Sequence, residues 1–134
     1  MKKKTIRVTA AVIYHGDKIF ATERGYGEFK GLWEFPGGKI EPDESPQEAL
    51  IREIKEELDI DISVGDLIDT VEYDYPHFHL SMDCFWCSIS AGEISLKEAE
   101  SARWFKTTEL NEVVWLPADI ELLETIKNQL KQIG

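Results

Sequence analysis

The stretch Phe35-Pro36-Gly37-Gly38-Lys39-Ile40-Glu41-Pro42-Asp43-Glu44-Ser45-Pro46-Gln47-Glu48-Ala49-Leu50-Ile51-Arg52-Glu53-Ile54-Lys55-Glu56-Glu57-Leu58-Asp59-Ile60 decides how the chain is read. It reads as a glycine turn, a loop and a strongly marked helix. Ser45 followed three residues later by Glu48 forms a capping box, and Pro46 stands at the first helical position, where its missing N–H costs nothing. The spacing predicts a helix starting at Pro46. At about 100° per residue, Leu50, Ile51, Ile54 and Leu58 gather on one side and Glu53, Glu56 and Glu57 on the opposite one. One face is expected to be buried and the other to display carboxylates.

Glutamates at i, i+3 and i+4 repel, at roughly 0.2–0.5 kcal/mol per pair in an isolated helix. Arg52, one turn before Glu56, relieves part of this. A divalent cation relieves more, because hard oxygen ligands suit Mg²⁺ or Mn²⁺. An acidic face alone would read as solvated surface.

The order of the chain around this helix is that of an α/β protein. Thr5–Tyr14 reads as a strand, His15-Gly16-Asp17 as a tight turn, and Lys18–Glu23 as a second strand. Gly25 to Gly31 form a glycine-bearing loop suited to a lid. Leu32–Phe35 is a short strand running into Pro36-Gly37-Gly38, whose glycines let backbone approach a ligand. Beyond the helix, Asp61–Val64 and Leu67–Tyr73 look extended, with Gly65-Asp66 as a break. From His77 to Ser90 the chain alternates, with His79, Ser81, Asp83, Phe85 and Cys87 on one face and Phe78, Leu80, Met82, Cys84 and Trp86 on the other. Ser101–Phe105 is the last strand. Thr107 or Thr108 caps a short helix through Val113, and Pro117 opens a terminal helix in which Leu123, Ile126, Leu130 and Ile133 recur at helical spacing. Strands interleaved with helices imply a mixed sheet between helical layers.

Bulk properties narrow the partners. At 134 residues, 43% hydrophobic and 31% charged, the chain is expected to fold as one domain spanning residues 1–134. With a net charge of -11 it lacks the basic footprint of a nucleic-acid binder. An acidic protein still binds a small polyphosphate where metal ions stand between the two anions. Lys2, Lys3 and Lys4 resemble the start of a signal peptide, but Thr5–Tyr14 contains Arg7 and alternates as a strand does, and no run approaches membrane-spanning length. Cys84 and Cys87 point to opposite faces of one strand and have no second pair to complete a zinc site, so they read as buried, reduced thiols in a cytoplasmic protein.

What lifts the acidic helix above a solvated face is its full spacing: Gly38, five residues, Glu44, seven residues, Arg52-Glu53-Ile54, one residue, Glu56-Glu57, one residue, Asp59-Ile60. This resembles the Nudix box, with every fixed position met except Asp59, where the pattern has glycine. In the family that glycine follows the helix, so the need is a left-handed cap, which Asp tolerates better than most residues.

The resemblance implies the Nudix α/β/α sandwich and a hydrolase in which water attacks phosphorus of a nucleoside diphosphate derivative, a triphosphate giving the monophosphate and pyrophosphate. It implies Mg²⁺, with Mn²⁺ able to substitute, held by Glu53, Glu56, Glu57 and the Gly37 carbonyl. Arg52 would orient the carboxylates and Glu44 would pair with Arg52 or steady the loop. Glu98, in a segment similar to one where MutT-like members present a further glutamate, would be a metal ligand and candidate base beside Glu53, with Glu100 as competitor. Gly31–Lys39 and Leu116–Ile120 are similar to parts of MutT-like and CTP-pyrophosphohydrolase-like members. This makes Arg24, Glu34, Phe35, Pro36, Gly37, Gly38, Lys39, Phe78 and Asp119 candidate substrate-binding residues. In the family Arg24 would hold phosphates and Asp119 would read the base. An ionised Asp119 accepts hydrogen bonds and favours N–H edges, as cytosine and guanine offer. Phe78, His79 and Trp33 are candidates to stack on a base. The expected substrate is a modified or surplus (deoxy)nucleoside triphosphate such as a CTP or dCTP derivative or 8-oxo-dGTP, handled by a monomer or homodimer. Pro76, near where ADP-ribose-cleaving members carry a proline, supports the alternative of a nucleoside diphosphate-X substrate. A non-catalytic nucleotide sensor would not need Glu53, Glu56 and Glu57 together.

Overall fold

A computed structural model describes residues 3–133; Lys2, and the side chain of Ile133, lie outside the described residues. In chain order the elements are β1 (Lys4–His15), β2 (Lys18–Glu23), β3 (Trp33–Glu34), β4 (Gly37–Lys39), α1 (Pro46–Leu58), β5 (Asp61–Asp74), β6 (Phe78–Ala91), β7 (Ser101–Lys106), a 3₁₀ turn (Thr107–Glu112) and α2 (Pro117–Ile133). β1 runs parallel to β6 from Lys4↔Phe78 to Ile13↔Cys87, while β4 pairs β1 and β5 pairs β6 antiparallel. Beyond the end of that pairing β1 turns through Gly16, at φ 62°, into β2, which carries β3 and β7.

Both faces of this mixed sheet are covered. On one side Ala11, Ile13, Phe85 and Cys87 pack against Leu50, Ile54 and Leu58 of α1. On the other Ala10, Val12, Met82 and Cys84 pack against Ala118, Leu122, Leu123 and Ile126 of α2. Burial from two sides explains why Ala10-Ala11-Val12-Ile13 is an unbroken apolar run. It also puts the two cysteines in different cores, free, with burial pushing both thiols well above their usual range. No helix among the described residues is long and apolar enough to cross a membrane.

Helix α1 starts at Pro46 with both halves of its capping box formed, and Asp59 closes it in the left-handed conformation at φ 58°, ψ 38°. The buried arc, however, is rotated from its expected position. Ala49, Leu50, Ile54 and Leu58 are buried and Ile51 is 43% exposed. Glu53 and Glu57 are half-buried on the flank of that arc, and only Glu56 of the three glutamates faces outward. The carboxylates therefore do not share a face opposite the core. The helix seats Glu53 and Glu57 against the sheet edge, and Ile51 turns out to solvent.

Four further expectations change. Gly37–Lys39 is a strand on β1, in register Ala10↔Gly37, Thr9↔Gly38, Val8↔Lys39, instead of an open glycine turn. A Cβ on Gly37 would stand 1.9 Å from the Thr9 carbonyl oxygen, so the close backbone approach that glycine permits there is to β1. Gly65-Asp66 does not break the chain but bulges it, the pairing shifting between Val64 and Leu67 within one strand. The segment after β7 is capped by neither threonine: the Lys106 N–H donates to the Glu109 carboxylate at 2.8 Å. Finally, the apolar stripe of α2 includes Leu122, fully buried beside Leu123 and Ile126.

Candidate active site

The end of β4, the exposed edge of α1 and the loop before β7 enclose one cleft of about 500 Å³. Gly38 lies directly over Glu53: a Cβ there would fall 2.3 Å from the Glu53 carboxylate carbon. Arg52 holds this corner. Its Nε and Nη2 donate to the two Glu44 oxygens at 2.7 and 2.8 Å, Nη1 donates to Glu53 at 2.8 Å, and Nη2 also donates to the Lys39 carbonyl at 3.1 Å. Glu44 is held below its usual carboxylate range by this pairing, and its Oε1 also accepts the Glu41 N–H. Arg52 is thus shared between a loop carboxylate and a helix carboxylate, and a bidentate guanidinium fixes both in orientation.

Glu57 also lines the cleft. Burial, then the charges of Glu53, Glu34 and Glu98, push its carboxyl up to about 8. The Glu98 segment is tied to the same helix end. The Ser95 N–H donates to the Leu58 carbonyl at 2.8 Å and the Lys97 N–H to the Glu57 carbonyl at 3.1 Å, satisfying carbonyls that the helix leaves open. This strap brings Glu98 into the cleft lining, where Glu100 is not found. Glu56 is not brought in. Its side chain is 60% exposed, 3.6 Å from Arg52, and lies outside the lining.

Residues Val8, Arg24, Glu34, Gly37, Gly38, Phe78 and Leu80 line both this cleft and a recess of about 150 Å³ that runs inward to Asp119. Phe35 lines the recess and its N–H donates to Asp119 Oδ1 at 3.2 Å. Asp119 is 5% exposed, and burial pushes its carboxyl up to about 8. Burial thus favours the protonated acid over the ionised acceptor expected from sequence. Arg24 donates to both Glu34 oxygens, at 2.9 and 2.7 Å, and lies 5.5 Å from the Tyr26 ring centroid. Phe78 stacks on Tyr75 at 5.0 Å. Pro36 and Lys39 line the cleft, Lys39 with its side chain outward.

Two aromatic candidates lie elsewhere. Trp33 packs edge-on against Phe105 in the core, and His79 is clamped on the outer sheet face between Asp74 at 2.9 Å and Glu72 at 2.8 Å. Tyr75 of the recess and Tyr26 and Glu41 of the cleft are not among the site residues expected from sequence. Tyr26 and Glu41 come with the loops that follow β2 and β4, beside Arg24 and Lys39, while Tyr75 is placed by the turn between β5 and β6.

Among the described residues no three Asp, Glu, His or Cys side chains are already gathered tightly enough to hold an ion. The donor set nevertheless suits one. Glu53, Glu57 and Glu98 offer only hard oxygens, and the repulsion between half-buried Glu53 and Glu57 and the exposed Glu98 is what a divalent cation relieves. Such an ion commonly keeps waters and takes phosphate oxygens, so a few protein carboxylates suffice.

Comparisons with known proteins place the chain in a family. The chain is 35% identical over 122 residues to the CTP pyrophosphohydrolase of Escherichia coli strain K12, covering 90% of each. It is 37% identical over 100 residues to the 8-oxo-dGTP diphosphatase of Proteus vulgaris, covering 73% of this chain and 89% of that one. The solution structure of the E. coli ORF135 protein superposes with a TM-score of 0.82 at 33% identity, covering 94% of this chain and 91% of that one. The sequence profile of the NUDIX domain matches residues 4–130, and the chain belongs to the NUDIX family of hydrolases.

Proposed function

We propose that this protein hydrolyses (deoxy)nucleoside triphosphates to the monophosphate and pyrophosphate, with modified or surplus CTP and dCTP derivatives or 8-oxo-dGTP as substrates. The observation that carries this reading is the continuity of the site: carboxylates of Glu53, Glu57 and Glu98 line the cleft, and shared walls lead from it to a buried Asp119. A polyphosphate in the cleft places a base in the recess.

Glu53, Glu57, Glu98 and the Gly37 carbonyl would hold Mg²⁺, for which Mn²⁺ can substitute, and Glu56, outside the cleft lining, would join them only by turning its exposed side chain inward. Bound there, the ion neutralises polyphosphate charge and lowers the pKa of an attacking water. Arg52 and Glu44 act through orientation, keeping Glu53 in place while charge develops. Glu98 accepts the proton from water, with Glu53 as the competing base; both line the cleft, and Glu98 comes from a loop free of the Arg52 network. Arg24 meets the phosphates and Asp119 the base edge, while Phe35 and Phe78 supply apolar wall.

The alternative of ADP-ribose gains no support from Pro76, which sits in the turn closed by the Tyr75 N–H to the Phe78 carbonyl and lines neither cavity. The test is a panel of CTP, dCTP, 5-methyl-dCTP, 8-oxo-dGTP, dATP and ADP-ribose with and without Mg²⁺, reading pyrophosphate and phosphate release. Metal-dependent pyrophosphate from cytidine or oxidised guanosine triphosphates supports the reading; activity on ADP-ribose alone overturns it.

A further inference from the structure

Among the described residues the Thr9 hydroxyl is the one buried side-chain polar atom without a hydrogen-bond partner. Thr9 is 1% exposed, so bulk water does not serve it. An unpaired buried hydroxyl is costly and uncommon, and valine would fill nearly the same space without one. Such a group persists where function uses it.

The place of Thr9 on β1 points to the use. Ala11 and Ile13, two and four residues on, pack beneath α1, so the Thr9 side chain faces the same helix. Thr9 stands between Gly38 of β4 and Asp83 of β6. On the Asp83 side both oxygens are engaged, Oδ1 accepting from the Thr70 hydroxyl at 2.8 Å and Oδ2 lying 3.9 Å from Arg7. On the Gly38 side the Glu53 carboxyl group fills the space that a Cβ would take, with Oε2 only 2.4 Å from that point. Opposite Cβ positions on paired strands stand about 4.5–5.5 Å apart, which sets the Thr9 hydroxyl near Oε2 but short of a bond. Arg52 holds Oε1, and Oε2 accepts from no group among the described residues. An unused donor and an unused acceptor thus share one corner under α1.

We propose, resting on the reading of Glu53 as a metal ligand, that Thr9 is a positioning residue for Glu53. A small turn of the carboxyl group lets the Thr9 hydroxyl donate to Oε2, so that Arg52 and Thr9 hold one oxygen each. Each oxygen keeps a lone pair for a cation. A ligand fixed in this way binds metal more tightly, and loss of such a supporting hydrogen bond typically weakens affinity by about 10–100-fold.

Four proteins test this: the wild type, Thr9→Val, which removes the hydroxyl, Thr9→Ser, which keeps it, and Glu53→Gln as the reference. Mn²⁺ affinity is read without nucleotide from the EPR signal of the free ion, and thermal unfolding is followed in EDTA. The Mg²⁺ concentration giving half-maximal pyrophosphate release from dCTP is read in parallel. Thr9→Val should unfold at or above the wild-type temperature, bind Mn²⁺ about tenfold more weakly and need about tenfold more Mg²⁺. Thr9→Ser should match the wild type in both metal readouts. Thr9→Ala, also without a hydroxyl, makes the same comparison should valine disturb the packing. If Thr9→Val and Thr9→Ser weaken Mn²⁺ binding alike, or if Thr9→Val binds as the wild type does while Glu53→Gln does not, the role of Thr9 is overturned and the reading of Glu53 stands. If Glu53→Gln binds Mn²⁺ as tightly as the wild type, Glu53 is not a ligand and both fail.

Discussion

Gly38 and Glu53 occupy one space: the missing side chain at position 38 is what leaves room for the Glu53 carboxylate, whose Oε2 would lie 2.4 Å from a Cβ there. Gly38→Ala should therefore displace Glu53 from the Arg52 network, cutting turnover on the order of 10²-fold with thermal stability nearly kept. Gly37→Ala, against Thr9 backbone at 1.9 Å, cannot be relieved by moving a side chain. It should instead destabilise the fold by roughly 3 kcal/mol, read in urea unfolding.

The orientation of α1 makes a stability prediction. Ile54→Ala opens the core between α1 and the sheet and should cost about 2–5 kcal/mol. Ile51→Ala, at an exposed position, should stay within about 0.5 kcal/mol. Equal losses would mean the helix faces the sheet as its sequence periodicity alone suggested.

That contrast marks what the sequence discloses. The ends of α1 were legible, because capping box, Pro46 and Asp59 act within a few residues. So were the two faces of β6, because period-two alternation is local. The rotation of α1 was not, since Glu53 and Glu57 count as polar in any periodicity yet are drawn against the cleft by the site they form. Nor was β4, because two glycines carry little strand propensity and their partner lies in β1, distant in sequence. The carboxylate cluster could be read as a motif, but the Arg24–Glu34 pair and the depth of Asp119 depend on tertiary contacts.

Glu57 should make metal binding depend on pH. Its folded-state pKa, raised to about 8, lies above the unfolded value near 4.5, so its own contribution to the stability of the metal-free protein is most favourable below that lower value and is lost as pH rises toward 8. A cation must displace the proton, so affinity for Mg²⁺ should climb with pH through the same window. Calorimetric titrations at about pH 6 and about pH 8.5 should differ by roughly tenfold or more, and Glu57→Gln should remove most of the difference.

His79 titrates apart from the site. Hydrogen bonds first to Asp74 and then to Glu72 raise its pKa above 6.5. The sign is the same as that of Glu57, since both folded values are raised: its contribution is complete below pH 6.5 and fades as pH rises through the folded value. Imidazole shifts followed by NMR should show the raised midpoint, and Asp74→Asn should return it toward 6.5 without altering turnover.

The central claim is that the half-buried carboxylates of α1 hold the metal that drives hydrolysis. The most direct measurement is pyrophosphate release from dCTP with saturating Mg²⁺ by Glu57→Gln, a change of similar shape that removes the charge, alongside its thermal unfolding. The account expects turnover down on the order of 10²-fold or more, with unfolding temperature unchanged or raised. Wild-type turnover in that variant would contradict it.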